Sequence, residues 1–407
     1  MMKAIVMLIL LVSILCTAAF AGGFVKADGT GLMLDGKPYR AMGANAPDLF
    51  VAYSGAGLGV QPQDRGKERQ RAVDAILDAE KNKIAFFRFW ATGFHPIEMK
   101  LYFDNPNEYW KNMDEVFNLC RQHNIKLVPS IFWEIGLWPL ICEEDRSAIV
   151  DPNSRTYKAM HKYAREIVTR YKDDTNVLMW ELLNEGFLGA DVQMEGRDLG
   201  GGDVYLPTTK LKRSKYNSGD SLTVPILKQF YIEMTTYIKS LDPNHMVESG
   251  DAGVRDCSQS LRESFPDQVW VRDTFRQHVG NLLASQPAPL DVFCQHLYGS
   301  LDPNFEPDQI TKLSALDYFT CTIRAVDAAR MPQYIGEFGQ VFPSFDKDPD
   351  AKFARTFIDL MDKEGVDLAS VWVWHFPWQP ENNVTSQSHP LLVKRIAQFN
   401  EKYAGLK

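Results

Sequence analysis

The stretch VLMWELLNEGF at residues 177–187 reads as a buried strand that ends on an amide and a carboxylate side by side, Asn184 and Glu185. An ionised carboxylate taken out of water without a partner costs several kcal/mol, so the ending needs either a structural or a chemical reason. The stretch lies between two amphipathic patterns of helical period, YKAMHKYAREIVTRY at 157–171 and ILKQFYIEMTTYIKSLD at 226–242. An apolar strand between two helices is the repeating unit of a parallel sheet.

Read outward from there, the same unit recurs along the chain. Strand candidates are YRAMGAN (39–45), IAFFRFW (84–90), KLVPSIF (126–132), VLMWELL (177–183), HMVESG (245–250), VFCQHLY (292–298), QYIGEFG (333–339) and ASVWVWH (369–375). Further helical patterns lie at 68–82, 109–124 and 350–365, the last ending on Gly365, a helix stop. Eight alternations predict an α/β fold, a single closed (β/α)8 TIM barrel, over an open doubly wound sheet. No G-x-G-x-x-G follows the first strand, which removes the dinucleotide-binding form of that alternative. Ahead of the barrel, GFVKADGTGLMLDGKPYR (23–40) carries two Asp-Gly turn signals and predicts a short N-terminal β-hairpin closing the barrel floor. One domain over residues 22–407 is expected, with one long connection, 186–224, on the face where barrel active sites lie.

The chain has 407 residues, 45% of them hydrophobic and 24% charged, with net charge -8. That composition is globular, and without a Lys/Arg run it excludes nucleic acid and anionic membranes as expected partners. Residues 1–21 carry Lys3, an apolar run and Ala19-Phe20-Ala21, the pattern of a secretory signal peptide cleaved after Ala21. The mature chain is therefore expected to be secreted, extracellular or periplasmic, off the membrane and monomeric. Bulky Leu15 before Cys16 argues against a lipoprotein signal. Five cysteines remain beyond the signal, with no C-x-x-C pair, so no zinc knot or redox motif is expected and at most two disulfides. The NVT sequon at Asn383 would place a glycan beside the barrel mouth.

Several polar residues fall at the C-terminal ends of different predicted strands. Arg88 ends the second, Asn184 and Glu185 the fourth, His296 and Tyr298 the sixth, Glu337 the seventh, and Trp372, Trp374 and His375 the eighth. In a barrel those ends converge on one mouth, so two carboxylates distant in sequence face one another. Such a pair suits glycosidic cleavage: one, protonated, donates to the leaving oxygen and the other, ionised, attacks the anomeric carbon. Arg88 is placed to hold the nucleophile ionised, Tyr298 to hydrogen-bond it, and Asn184 to meet a sugar hydroxyl. Trp374 offers a flat apolar face. Glu181 shares the parity of Glu185 and points into the barrel as a structural carboxylate; Glu134 is expected to touch either substrate or a loop. Trp90, Trp133, Trp138, Trp372 and Trp378 crowd the mouth, two or three for stacking and the rest for packing.

NE on strand four, HLY on strand six, GEFG on strand seven and a Trp on strand eight together resemble the retaining glycoside hydrolases of clan A, most closely family 5, over about residues 38–400. The resemblance implies Glu185 as acid/base and Glu337 as nucleophile, with Arg88, Asn184, His296, Tyr298 and Trp374 lining the subsite of the reacting sugar. It implies no cofactor and no metal, and a β-linked polysaccharide or oligosaccharide as substrate. Gly186 stands where the family usually has Pro, and FWEIGLW at 132–138 lacks the His that many members place after strand three. That missing His and WELLNE at 180–185 are similar to the mannanase branch, making an endo-β-1,4-mannanase the first expectation. A β-1,4-glucanase and an exo-β-glycosidase are the alternatives. From other classes, a non-catalytic carbohydrate-binding barrel predicts the loss of a carboxylate, and a metal-dependent hydrolase predicts clustered histidines that the first strand, with GANAP, does not offer.

Overall fold

A computed structural model describes residues 23–199, 204–299, 313–340 and 344–404. The expected signal peptide, residues 1–21, lies outside the described residues. The chain opens with three short antiparallel strands, β1 (Lys26–Asp28), β2 (Gly31–Leu34) and β3 (Lys37–Pro38). Both Asp-Gly pairs turn the chain, so the expected hairpin gains a third strand. Asp35 and Gly36 have φ of 51° and 76°, the two positive values that a tight two-residue turn requires.

Eight parallel strands follow: β4 (Ala41–Asn45), β5 (Phe86–Trp90), β6 (Lys126–Ser130), β7 (Met179–Glu181), β8 (Met246–Glu248), β9 (Phe293–Gly299), β10 (Gln333–Gln340) and β11 (Leu368–Val371). Their hydrogen-bonded order is β8-β7-β6-β5-β4-β11-β10-β9. A parallel bridge between Glu248 and Val292 joins the two ends, which closes the sheet into a barrel. Helices including Arg65–Lys81, Pro106–Gln122, Arg155–Tyr171, Val224–Leu241, Ala315–Ala328, Lys352–Glu364 and Pro390–Ala404 form the outer layer. Each places an apolar stripe on the barrel, as Val116, Phe117 and Cys120 do from Pro106–Gln122.

Strand parity divides the core in two. Phe87 and Phe89 of β5 pack outward beneath the helices, whereas Phe86 and Arg88 point inward. The inward set fills the lower barrel with Phe86, Val128, Met246, Val292, Cys294, Tyr334 and Leu368, floored by Val25, Leu32 and Tyr39 from the meander. That apolar layer forces the next inward layer, at the C-terminal strand ends, to carry all the polar chemistry at the mouth.

On β10 the pairing with β9 slips between Ile335 and Glu337, so that Gly336 is an extra residue and Glu337 stands opposite His296. The bulge turns Glu337 inward against strict alternation. A Cβ at Gly336 would lie 2.7 Å from Cys294 Sγ and 2.8 Å from His296 Nε2, so only glycine fits.

Asp367 fastens the floor to the barrel. Its Oδ1 accepts from the Leu32 amide at 3.1 Å and its Oδ2 from the Gln333 amide at 3.0 Å. Burial pushes this carboxyl up to about 6. Asp367→Asn keeps one acceptor oxygen and sets an NH2 against the other amide, so it should lower unfolding stability by about 1–3 kcal/mol in a urea titration. An unchanged midpoint would show that the meander is not fastened here.

Candidate active site

The mouth is organised around Arg88, which is 0% exposed. Its Nε donates to Glu181, its Nη1 to Asn45 Oδ1 at 3.0 Å and to Glu337 Oε1 at 2.7 Å, and its Nη2 to Asn184 Oδ1 at 2.7 Å. The guanidinium carbon lies 4.1 Å from the Trp133 ring centroid. Burying a cation is tolerable only when its donors are satisfied in this way. Because Asn184 Oδ1 is taken by Arg88, its NH2 group is left to meet a ligand hydroxyl.

Glu337, 5% exposed at its side chain, accepts from Arg88 and from the Tyr298 hydroxyl. Glu185 sits across the mouth with φ of 54°, a left-handed conformation that costs a non-glycine residue about 1–3 kcal/mol. Its amide donates to Gly250 O at 2.9 Å and its carbonyl accepts from the Leu188 amide at 3.1 Å, which hold it there. Burial raises the Glu185 carboxyl above the usual carboxylate range, opposed by the charges of Arg88 and Arg255. The His296 ring stands between the two acids, Nδ1 at 2.9 Å from Glu185 Oε1 and 3.5 Å from Glu337 Oε1. Burial lowers its pKa to about 4, so the imidazole is neutral near pH 7.

One oxygen of Glu185, one of Glu337 and a His296 nitrogen lie within 4.8 Å of one another, a spacing that metal ligands also adopt. Here the Arg88 guanidinium already supplies the cation beside Glu337, and Glu185 favours a proton where a metal needs a lone pair. The set brings a raised carboxyl, a neutral imidazole and an ion-paired carboxyl to one spot, an arrangement able to pass a proton.

Beneath this layer lie two carboxyls with 0% exposure, Glu181 and Glu248. Glu181 is the ion partner of Arg88. Burial and the adjacent Glu181 push Glu248 well above the ordinary range, and one proton shared between the two would satisfy both their otherwise unpartnered oxygens.

From the acids a cleft of about 480 Å³ runs outward, lined by Asn184, Glu185, Glu337, Trp90, Trp133, Trp372 and Trp378 among others. Six of the seven expected residues, Arg88, Asn184, Glu185, His296, Tyr298 and Glu337, meet at the mouth. Trp374 does not. It is 1% exposed and its Nε1 donates to Ala75 O under the helix Arg65–Lys81, because the ladder ends at Val371 and the chain then folds back into the wall. Trp372, the first residue past β11, faces the cleft in its place. Trp138 is buried against Tyr102 and Tyr163 of neighbouring helices, and Glu134 accepts from Arg146 and the Gly136 amide, so the first serves helix packing and the second a loop. Asn383 Oδ1 accepts from the Phe376 amide, which gives the sequon residue a place in its own loop. All five cysteines among the described residues are free. Sequence reading missed Glu248 and Asn45; a carboxylate inside the apolar run HMVESG was the available signal for the first.

Comparison with known proteins adds the following. A family model described as cellulase, glycosyl hydrolase family 5, matches residues 62–376. Mannan endo-1,4-beta-mannosidase 1 of Oryza sativa subsp. japonica is 27% identical over 267 residues, 59% of this chain and 52% of that protein. The chain thus spans about half the length of that relative. The endo-1,4-beta-mannanase of Rhizomucor miehei superimposes with a TM-score of 0.65 at 17% identity, covering 93% of this chain and 100% of that one. The exo-beta-1,4-mannosidase Op5Man5 of Opitutaceae bacterium strain TAV5 gives 0.58 at 18%, covering 94% and 63%.

The buried acid pair makes a test of how Arg88 is held. Glu248→Gln keeps a donor to Glu181 and should leave kcat within about threefold. Glu248→Ala strands a Glu181 oxygen, loosens its hold on Arg88, and should lower kcat by about ten- to a hundredfold, the equivalent of one buried hydrogen bond. Equal losses in both variants, measured at matched folded fraction, would refute the shared proton.

Proposed function

The chain belongs to the cellulase family, glycosyl hydrolase family 5, and from that premise we propose that it is a retaining β-glycoside hydrolase acting inside β-1,4-mannan chains. The observation that carries the mechanism is the close approach of two unlike carboxyls, Glu185 and Glu337. Carboxyl groups about 5–5.5 Å apart act by double displacement, whereas inverting pairs stand about 6.5–9.5 Å apart to admit a water.

Glu337, ion-paired with Arg88, attacks the anomeric carbon while Glu185 protonates the leaving oxygen. The glycosyl ester on Glu337 is then hydrolysed by water that Glu185 deprotonates. Neutral His296 positions the Glu185 carboxyl without adding a charge. The free NH2 of Asn184 donates to the 2-hydroxyl as charge develops on the sugar ring. Trp372, stacked on Trp133 at 22° with centroids 6.2 Å apart, lines the cleft and gives the reacting sugar an aromatic wall. No cofactor is needed for any step.

Mannan as substrate is supported by the name of the rice relative and by WELLNE on the strand that carries Glu185. Internal cleavage is supported by a cleft that continues past the acids along Trp90, Phe94 and Trp378. The export pattern at residues 1–21 supports action outside the cell, and no helix among the described residues is long and apolar enough to cross a membrane.

Purified protein should release a ladder of short manno-oligosaccharides from mannan. Cleavage of β-glucan or xylan with none of mannan would overturn the substrate; monomer release alone would overturn internal action. Glu337→Ala should abolish turnover, with azide restoring it as the inverted glycosyl azide. Glu185→Ala should lose about 10²–10⁴-fold, with azide giving the retained product from a substrate with an activated leaving group. Exchanged anomers would reverse the two roles. Because Glu185 must be protonated, kcat/KM should fall as pH rises through its elevated pKa; Arg255→Gln removes an opposing positive charge and should move that limb to higher pH.

A further inference from the structure

Glu185 sits in a left-handed turn, and the next residue, Gly186, adds no stiffness of its own. Gly186 stands where the family usually has Pro, and a Cβ there would lie 2.9 Å from both the Tyr231 hydroxyl and Leu183 Cδ1. The direction of the acid must therefore be set by whatever grips the turn from outside.

That grip comes from the connection that follows β8. Asp251 is 0% exposed, and its Oδ1 accepts from the Phe187 amide, two residues past Glu185, at 2.9 Å. Its Oδ2 accepts at 2.6 Å from the hydroxyl of Tyr231, a residue of the helix Val224–Leu241. The Asp251 amide donates to Ser249 Oγ at 3.1 Å, which fixes the approach of the carboxyl. At the far end of the turn, Leu188 O accepts from Arg255 Nε at 2.6 Å. Burial and the neighbouring Asp251 push the Tyr231 hydroxyl up, so it keeps the proton that it donates. The Phe187 and Tyr231 rings, with centroids 5.8 Å apart, pack together, so the two donors that hold the carboxyl support one another.

A carboxyl without access to solvent is costly to bury. Burial pushes Asp251 up to about 7; the Phe187 amide and the Tyr231 hydroxyl work against that rise, and the charges of Glu185 and Glu181 add to it. Neither the contacts of Arg88 nor any step of the mechanism uses this carboxyl. What it adds is its two bonds, one to the turn that carries Glu185 and one to the tyrosine packed against that turn.

We propose that Asp251 is a positioning residue for proton donation: through the Phe187 amide it fixes the direction in which the Glu185 carboxyl faces the leaving oxygen. It touches no ligand, and its role rests on the glycosidase reading above. A misplacement of about 1 Å costs on the order of a hundredfold in rate, so loosening one turn is enough to be read kinetically.

A substrate that needs no proton separates positioning from general damage. A dinitrophenyl mannobioside has a leaving group that departs unaided, whereas a manno-oligosaccharide of six units needs the acid. Asp251→Ala should lower kcat/KM on the oligosaccharide by about ten- to a hundredfold and on the dinitrophenyl glycoside by less than about threefold. On the latter, kcat and KM should fall together, because Glu185 must still activate the water that releases the sugar. Asp251→Asn keeps an oxygen for the Phe187 amide and offers its NH2 to the Tyr231 oxygen, so it should stay within about threefold of the wild type on both substrates. The ratio of the two kcat/KM values does not depend on the fraction of protein folded. If Asp251→Ala yields no folded protein, Tyr231→Phe, which frees one carboxylate oxygen, should shift the same ratio by about three- to tenfold. Equal losses on both substrates, none on either, or an Asn variant no better than Ala would overturn the positioning role. Wild-type protein that cleaves neither substrate would overturn the glycosidase reading instead. If another β-glycan proves to be the one cleaved, its oligosaccharide and dinitrophenyl glycoside replace these two, and the same ratio decides.

Discussion

Everything at the mouth depends on one buried guanidinium. Arg88 leaves the end of β5 and reaches Asn45 on β4, Glu181 on β7, Glu337 on β10 and Asn184 just past β7. It therefore ties four strands together at the level where the barrel's apolar filling ends. Removing it would leave buried carboxylates without a counter-ion, a loss of about 3–5 kcal/mol for a broken buried pair. A lysine carries the charge but not the planar fork, and it could not address Glu181, Glu337 and two amides in their different directions. The same four bonds orient the groups that face a ligand, so stability and chemistry share one set of contacts.

That arrangement also sets which acids keep protons. Four carboxyls, Glu181, Glu185, Glu248 and Glu337, surround a single buried cation. The two that touch Arg88 are ion-paired with it. The two that do not, Glu185 and Glu248, are both raised chiefly by burial. Contact with one guanidinium thus divides the ion-paired acids from the two that burial raises. Neutral His296 fits the same logic, since an imidazolium between Glu185 and Glu337 would oppose the upward shift that burial gives Glu185.

The fold was legible because the barrel repeats itself. Period-two apolar runs alternate with period-3.6 helices, and the eight runs read from sequence match β4 to β11 to within a few residues. The acids were legible because a carboxylate at the end of an apolar strand is improbable without a reason. What escaped was geometry that no period encodes. A single bulge at Gly336 decides that Glu337 faces inward, and alternation counted from Tyr334 would have turned it toward the helices. Trp372 and Trp374 are two residues apart with equal credentials on paper, and the end of the ladder at Val371 sends one to the cleft and the other beneath a helix. Glu248 was hidden because its role exists only beside Glu181, on the neighbouring strand.

Accessibility separates the two acids in the direction that their proposed roles require. The Glu185 side chain is 34% exposed and that of Glu337 is 5%. A nucleophile has one partner, the anomeric carbon, and gains from a dry site in which Arg88 and Tyr298 fix its remaining lone pairs. An acid/base must meet two partners in turn, a leaving oxygen and then a water arriving by the vacated path. It therefore has to sit where the leaving chain departs while staying dry enough to hold its proton. The left-handed backbone at Glu185 serves that compromise. It turns the chain sharply beyond β7 and presents the carboxyl at the rim, against His296, instead of down in the barrel where Glu181 lies. The strain there is offset by hydrogen bonds to Gly250 and Leu188, the same two residues through which the connections of β7 and β8 are joined. The rim position of Glu185 is consequently set by the backbone that joins those two connections.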